Sequence, residues 1–270
     1  NIPILLASAT PSLDTWLNAG ANPNKENINI QNKYWHHWKL NTRFGNANLP
    51  IIKLIDLKTS RPKKGFWLAP ETLANLSENL TRKEQSLLFL NRRGYAPITI
   101  CEECGYKVKC NHCDTQLVYH KFKEEFLCHY CGKNEKKTES CPKCNSVDSL
   151  RGIGPGVEKL KEEVKINFPN AKVEIFSSDL ISSSENLENF YKLVTNGDID
   201  ILIGTQIVAK GHNFPNLTFV AVVDADIGFN GGDLRAGEKT FQLLIQVSGR
   251  AGRSTKPGRV FIQTLQIDHP

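Results

Sequence analysis

The sequence predicts an α/β fold, a parallel sheet with helices on both faces, interrupted by a cysteine-rich module that holds two metal ions. Two observations carry this. Short apolar runs of strand length alternate with helix-length amphipathic stretches from residue 155 onward. All eight cysteines of the 270-residue chain fall between 101 and 144, as four C-x-x-C pairs.

Taken in order, the stretch Ile2–Ala7 reads as a buried strand with nothing before it to pair against, which suggests preceding sequence. Asn22–Leu40 is rich in Asn and Lys with Tyr34, Trp35 and Trp38 interleaved. It suits either a loop stacking on single-stranded DNA or a surface strand, and no site is assigned to it. Ser86–Leu90 reads as the first strand of the main sheet. After the cysteines, Pro155 opens a helix with Val157, Leu160, Val164 and Phe168 at helical intervals, and Pro169 stops it. Lys172–Phe176 is a short strand. Glu185–Asn196 is a helix with Leu187, Tyr191 and Val194 on one side and Gly197 as its stop signal. Ile201–Gly204 and Leu217–Val223 are strands, Glu238–Val247 lies in a helix, and Arg259–Thr264 is the last strand. Alternation of this kind argues for a parallel sheet covered on both sides.

The cysteine pairs are Cys101/Cys104, Cys110/Cys113, Cys128/Cys131 and Cys141/Cys144. Two intervening residues let one tight turn present both sulfurs to a tetrahedral ion, so four pairs make two complete four-thiolate sites. Gly105 and Gly132 follow the second cysteine of their pairs, where the turn calls for positive φ. The interval between Cys113 and Cys128 suits a zinc ribbon, with Leu117–Tyr119 opposite Phe126 and Leu127 as a hairpin. Cys110, Cys113, Cys128 and Cys131 are therefore expected to hold one zinc ion, and Cys101, Cys104, Cys141 and Cys144 to close around the other. A disulfide scaffold is the alternative, disfavoured by the large apolar core around the module. Eight thiolates leave no open coordination position, so the ions are structural and a zinc-dependent hydrolase is disfavoured. His112, His120 and His129 could substitute as ligands, but ordinary surface histidines are the favoured reading.

No apolar run approaches the roughly twenty residues of a membrane helix. The net charge of +6 is uneven: residues 1–100 carry 13 Lys/Arg against 6 Asp/Glu, 101–150 carry 8 of each, and 151–270 carry 13 against 14. The positive excess of the first hundred residues suits a polyanion, although a solvated lysine-rich surface gives the same count.

In parallel sheets ligands gather at the carboxyl ends of the strands. Asn91–Gly94, Gly204–Gln206, Asp224–Asp226 and Gln246–Arg253 are expected there. Within the last, Arg250 and Arg253 stand three apart at a helix end, each after a small residue, and can project toward one anion.

Gln246–Arg253 resembles motif VI of superfamily 2 helicases, and Ser8-Ala9-Thr10 resembles their motif III. Ile201–Phe214, ILIGTQIVAKGHNF, resembles motif V, and Leu88–Pro97, LFLNRRGYAP, motif IV. In this order, with an eight-cysteine insertion after the fourth, the motifs resemble primosomal protein N′, the PriA family of bacterial replication-restart helicases. SATPS at Ser8–Ser12 and RAGEKTFQLLIQVSGRAGR at Arg235–Arg253 are specific to that family, and the resemblance covers essentially the whole chain.

The resemblance implies a RecA-like P-loop NTPase lobe and ATP-dependent 3′→5′ unwinding of DNA at stalled forks. Residues 1–80 would end a first lobe, 81–270 would form the second, and 99–150 its zinc insertion. Arg250 and Arg253 would face the ATP phosphates, one as the arginine finger, and Gln246 would contact the nucleotide or its bound water. Gly204, Thr205, Gln206, Lys210 and Gly211 would link nucleotide to DNA backbone. Ser8 and Thr10 would couple the lobes, and Arg93 would sit where the second lobe approaches nucleic acid. The implied cofactors are two zinc ions, with ATP and Mg in the intact enzyme. The implied partners are forked DNA and single-stranded/duplex junctions, other primosome proteins and single-stranded DNA-binding protein, in the bacterial cytoplasm and with no membrane.

The chain departs from the family in several places. No G-x-x-x-x-G-K-[ST] phosphate loop occurs in it. In the family that loop and the acidic magnesium motif precede what is here Asn1, and a DNA-binding domain follows Pro270. Val157 stands where the family usually has Thr, and of its Asp-x-Asp only Asp179 matches. The chain alone is thus expected neither to bind ATP tightly nor to hydrolyse it. The competing reading is a non-enzymatic zinc module that docks DNA or protein, with Tyr106, Tyr119, Phe122, Phe126 and Tyr130 as stacking or packing aromatics. That reading has no use for the arginine pair.

Overall fold

The computed structural model describes residues 5–19, 48–91, 98–101, 103–113, 117–120, 125–128, 131–136, 138–153, 156–176, 184–205, 214–226, 234–253 and 256–268. In chain order the elements are α1 (Leu13–Asn18), β1 (Ile51–Asp56), α2 (Pro70–Thr81), β2 (Gln85–Phe89), β3 (Ile98–Cys101), β4 (Val118–His120), β5 (Glu125–Leu127), β6 (Asn134–Lys136), β7 (Leu150–Ile153), α3 (Val157–Asn167), β8 (Val173–Phe176), α4 (Ser184–Asn196), β9 (Ile201–Gly204), β10 (Leu217–Val222), α5 (Ala236–Ser248) and β11 (Arg259–Thr264).

Six strands form one parallel sheet in the order β1-β11-β10-β2-β9-β8. Strand side chains alternate between faces, and the core divides accordingly. Leu88, Ile201, Ile203, Phe219, Ala221 and Phe261 pack on one side with Leu76 of α2 and Leu160 and Val164 of α3. Leu87, Phe89, Leu202, Val220, Val222, Val260 and Ile262 pack on the other with Val194 of α4 and Val247 of α5. The expected double coverage is therefore present, with α2 and α3 on one face and α4 and α5 on the other.

The sheet starts earlier in the chain than the sequence suggests. β1 pairs with β11 along its whole length, Ile51 opposite Arg259 through Asp56 opposite Thr264. A division at residue 80 would cut through this unit, since β1 and α2 belong to the same sheet and core. The pattern of β1 hides it: Ile51, Ile52 and Leu54 are exposed and only Ile55 is fully buried. The strand expected at Ile2–Ala7 does not form in its described part, where Leu5 and Leu6 are exposed with no strand beside them. Residues 1–4 and the stretch Asn22–Leu40 lie outside the described residues.

The cysteine-rich insertion leaves after β2 and returns before α3. It forms a second, antiparallel sheet, β6-β5-β4-β3-β7, whose stem pairs Ile98 with Ile153 and Cys101 with Leu150. The expected hairpin is there, with Val118 opposite Leu127 and Tyr119 opposite Phe126.

After α5 the chain turns sharply into β11. Gly252 has φ +65°, and a Cβ on it would lie 2.4 Å from Gly258 N; a Cβ on Gly258 would lie 2.6 Å from the Ala251 carbonyl carbon. Two backbone segments cross here with no room for a side chain. Gly252→Ala should lower the unfolding free energy by about 2–3 kcal/mol in urea titration, from strain plus backbone displacement. Gly237→Ala, in the first turn of α5 with nothing within 4 Å of its added Cβ, should leave stability unchanged or raise it by up to about 1 kcal/mol. Equal midpoints for the two variants would mean that the crossing is not this close.

Candidate nucleotide and metal sites

Helix α5 carries a polar side chain every fourth residue, Glu238, Gln242 and Gln246, with Arg250 one step beyond its C-terminus. A repeat of four keeps these groups on one stripe. The stripe receives the segment preceding α1, running antiparallel to it. Gln246 Nε2 donates to Thr10 Oγ1 at 2.9 Å, Gln242 Nε2 donates to the Pro11 carbonyl at 3.1 Å, and Leu13 N donates to Glu238 Oε1 at 2.9 Å. Arg235 closes the row with an ion pair to Asp14. Within the segment, Thr10 N donates to Ser8 Oγ at 3.1 Å, and Ser12 caps α1 by accepting from Thr15 N. Thr10 thus contacts Gln246, and Ser8 is joined to Thr10.

Arg250 is 6% exposed, and burial followed by the neighbouring Arg253 charge lowers its guanidinium to about 10. Arg253 is exposed and its Nε donates to the Gly249 carbonyl at 2.8 Å. The structure corrects one expectation about this pair. Gln246–Arg253 does not sit at the carboxyl edge of the sheet, because α5 is the return crossover from β10 and ends at the opposite edge. Gly252 N accordingly donates to the carbonyl of Leu217, the first residue of β10. Gly204 and Thr205 do lie at the carboxyl edge, Gly204 as the last residue of β9 and Thr205 immediately after it. Leu90 N donates to the Gly204 carbonyl at 2.9 Å, and Thr205 is nearly buried. Asn91 and Asp224–Asp226 follow β2 and β10 at that same edge, where Asp226 accepts from Thr264 Oγ1 and from Leu265 N. Gln206, Lys210, Gly211, Arg93 and Asp179 lie outside the described residues.

The eight cysteines gather as two groups, Cys101/Cys104/Cys141/Cys144 and Cys110/Cys113/Cys128/Cys131, the ligand atoms of each lying within 4.8 Å of one another. Across the first, Cys101 and Cys144 Sγ are 3.6 Å apart, as are Cys104 and Cys141; across the second, Cys113 and Cys128 are 3.4 Å apart and Cys110 and Cys131 3.7 Å. No disulfide is formed. Gly105 and Gly132 have φ of +69° and +74°, as their turns require. The Ser149 hydroxyl beside Cys101 holds that thiol down at about 6. At Cys131 and Cys144 burial and the neighbouring sulfurs outweigh lowering backbone hydrogen bonds, from Lys133 and Ser146 respectively, and push both up to about 12. Four thiols this close cannot all ionise side by side unless a cation offsets their charge, and a divalent metal ion would supply that charge. The donor set fits a tetrahedral thiophilic metal.

A family model, the helicase conserved C-terminal domain, matches residues 122–255, a span that ends just past the arginine pair. Over 98% of its length the chain is 44% identical to the replication restart protein PriA of Rickettsia conorii, and over its whole length 40% identical to that of Haemophilus influenzae. The PriA of Bacillus subtilis is 38% identical over 99% of the chain. The chain belongs to the PriA family. It spans 39%, 35% and 32% of these three PriA sequences, about a third of each. Among solved structures, the helicase domain of Pyrococcus furiosus Hef matches 72% of this chain and 24% of its own at 13% identity, with a TM-score of 0.34.

In this PriA-family chain the sequence singled out Gln246, Arg250 and Arg253 but not Glu238, Gln242, Arg235 or Asp14. For Glu238 and Gln242 the signal was available in the four-residue repeat that continues backward from Arg250, whereas Arg235 and Asp14 fall outside that repeat. Glu238→Ala should speed hydrogen exchange at the Leu13 amide about fivefold, the worth of one ordinary hydrogen bond. Exchanging the charges of Asp14 and Arg235 should loosen the segment in either single variant and restore it in the double one. Unaltered Leu13 exchange in Glu238→Ala would show that the segment does not dock along α5.

Proposed function

We propose that this chain supplies the second RecA-like lobe, with its two-zinc module, of an ATP-dependent 3′→5′ DNA helicase that acts in replication restart. The observation that carries the reading is the arginine pair at the end of α5 beside the Ser8–Thr10 segment. Two guanidiniums held together call for a polyanionic ligand, and a docking module has no need of them. On this reading the residues before β1 close the first lobe, and ATP lies between that lobe and α5. Arg253, being exposed, is the one that reaches the phosphates, and Arg250 stands desolvated behind it. Gly204 and Thr205, at the carboxyl edge, link nucleotide to DNA backbone on this reading, together with Gln206, Lys210 and Gly211, which follow them in the sequence. Single-stranded DNA-binding protein and other primosome proteins are the partners the family suggests, in the bacterial cytoplasm.

The test uses the protein extended to the length of its relatives. Arg253→Ala should cut ATP turnover by roughly three to five powers of ten while leaving DNA affinity unchanged. Turnover at the parental rate would refute the motor role and leave a binding module. The 270-residue chain on its own should show no ATP turnover above background, since it carries no phosphate-cradling loop.

Both cysteine groups hold zinc on this reading. Metal analysis should return two equivalents per chain. Chelation should release the amides of β4, β5 and β6 to exchange while those of β2, β9 and β10 stay protected, because the insertion has its own small core around Val108, Leu117 and Phe126. A metal-free chain whose insertion stays protected would remove the structural role.

A further inference from the structure

We infer that the loop between β1 and α2 is a pre-set contact for a nucleic-acid phosphodiester backbone, made by Lys58, Arg61, Lys63 and Lys64. The inference rests on the nucleic-acid reading given above and extends it to residues outside every motif that suggested it. All four side chains are exposed. No ion pair joins any of them to a carboxylate among the described residues. The one acid between residues 56 and 66, Asp56, spends Oδ1 on accepting from Lys58 N at 2.8 Å.

An exposed basic loop is ordinarily a solvated surface. This one is fixed at both ends. At its start, Asp56 also accepts through its carbonyl from Thr59 N, Ser60 N and Thr59 Oγ1. Along it, Arg61 Nε donates to the Lys58 carbonyl at 2.9 Å, and Gly65 turns the chain at φ +86°. At its exit, Glu163 of α3, 2% exposed, accepts with its two carboxylate oxygens from Trp67 N at 2.8 Å and Leu68 N at 3.0 Å. Gln263 of β11, fully buried, accepts from Ala69 N and Thr72 Oγ1 and donates to the carbonyls of Trp67 and Val223. A carboxylate is costly to bury, and burial raises the Glu163 carboxyl above its ordinary value. Fixing a loop in advance saves ordering entropy when a ligand arrives.

Position gives the second argument. β1 runs parallel to β11, so the loop leaves at the carboxyl edge, where Leu57 N donates to the Thr264 carbonyl. Asn91 and Thr205 emerge at the same edge, three and four strands away in the sheet order. At the usual strand spacing those separations are about 14 and 19 Å. A nucleic-acid strand laid across the edge presents several phosphates over that distance, and the loop supplies the positive end of the track. Part of the positive excess in residues 1–100 thereby finds a use.

The experiment measures binding of the 270-residue chain to a labelled single-stranded oligonucleotide by fluorescence anisotropy across a salt series. Lys63→Ala/Lys64→Ala should weaken binding and make the slope of log K against log salt shallower by about 0.7 for each phosphate no longer neutralised. Lys159→Ala/Lys192→Ala removes the same charge from exposed positions on α3 and α4 and should leave the slope as it was. Glu163→Gln keeps every basic residue but loosens the exit of the loop. It should weaken binding severalfold with an unchanged slope. Equal losses in the two lysine doubles overturn the inference and leave non-specific charge. Competition by a poly-glutamate peptide as strong as by an oligonucleotide of equal charge overturns it in favour of an acidic protein segment. A parental chain that does not bind the oligonucleotide defeats the nucleic-acid reading itself.

Discussion

The burial of β2 on both faces is the constraint from which the rest of the arrangement follows. All five of its residues are buried, Leu87 and Phe89 against α4 and α5 and Leu88 against α2 and α3. Each fully buried apolar side chain of this size contributes about 1.5–3 kcal/mol relative to exposure, so neither layer can lift away cheaply. Several polar groups of this region are bonded inside it, while Gln85 Oε1 and Ser86 Oγ are buried without a hydrogen-bond partner among the described residues. Gln85 Nε2 donates to the carbonyls of Val194 and Ile199, and Asn79 Nδ2 donates to the Gln85 carbonyl and Thr218 Oγ1. With the centre of the sheet closed on both faces, chemistry is confined to its two edges. The chain leaves a covered sheet only at the ends of its strands.

The cysteine-rich insertion obeys the same constraint. It departs from the carboxyl end of β2 and comes back within one strand width, because β3 and β7 pair antiparallel at its stem. The first cysteine group ties that stem together: Cys101 is the last residue of β3, while Cys141 and Cys144 come from the far end of the insertion. The second group sits under the hairpin with Val108, Leu117 and Phe126. That core is too small to hold a fold by itself, and small modules of this kind are completed by metals. The lobe and the insertion therefore depend on different forces, apolar burial for one and thiolate coordination for the other.

Both cysteine groups were legible in the sequence because C-x-x-C spacing encodes turn geometry directly, and the nested pairing followed from the hairpin between Cys113 and Cys128. Strands and helices after residue 155 were legible to within a few residues because each strand is a short apolar run with its stop signals beside it. β1 was not, since an edge strand with one buried residue carries no burial pattern to read. The placement of Gln246–Arg253 was misjudged for a topological reason. The rule about carboxyl ends concerns loops that follow strands, and this stretch follows a helix. Periodicity shows that α5 exists but not which edge it ends on; that depends on β10 and β11 being parallel neighbours. The docking of Thr10–Asp14 on α5 joins residues more than two hundred positions apart, and no local pattern announces such a contact.

Helix α5 begins near the carboxyl edge of β10 and ends at the amino edge beside Leu217, so it spans the thickness of the lobe. Its buried stripe, Thr240 and Val247 with the partly buried Leu243 and Leu244, is held by the sheet. Its polar stripe faces the Ser8–Asp14 segment. A helix is stiff along its axis, so a displacement of that segment acts on the end that carries Arg250 and Arg253 rather than dissipating along the way. The Gly252–Gly258 crossing then fixes that end against the start of β11, with no side chain between the backbones to yield. The carboxyl edge, with Thr205 and the basic loop after β1, lies on the far side of the same covered sheet. The space between the two edges is filled by a close-packed core.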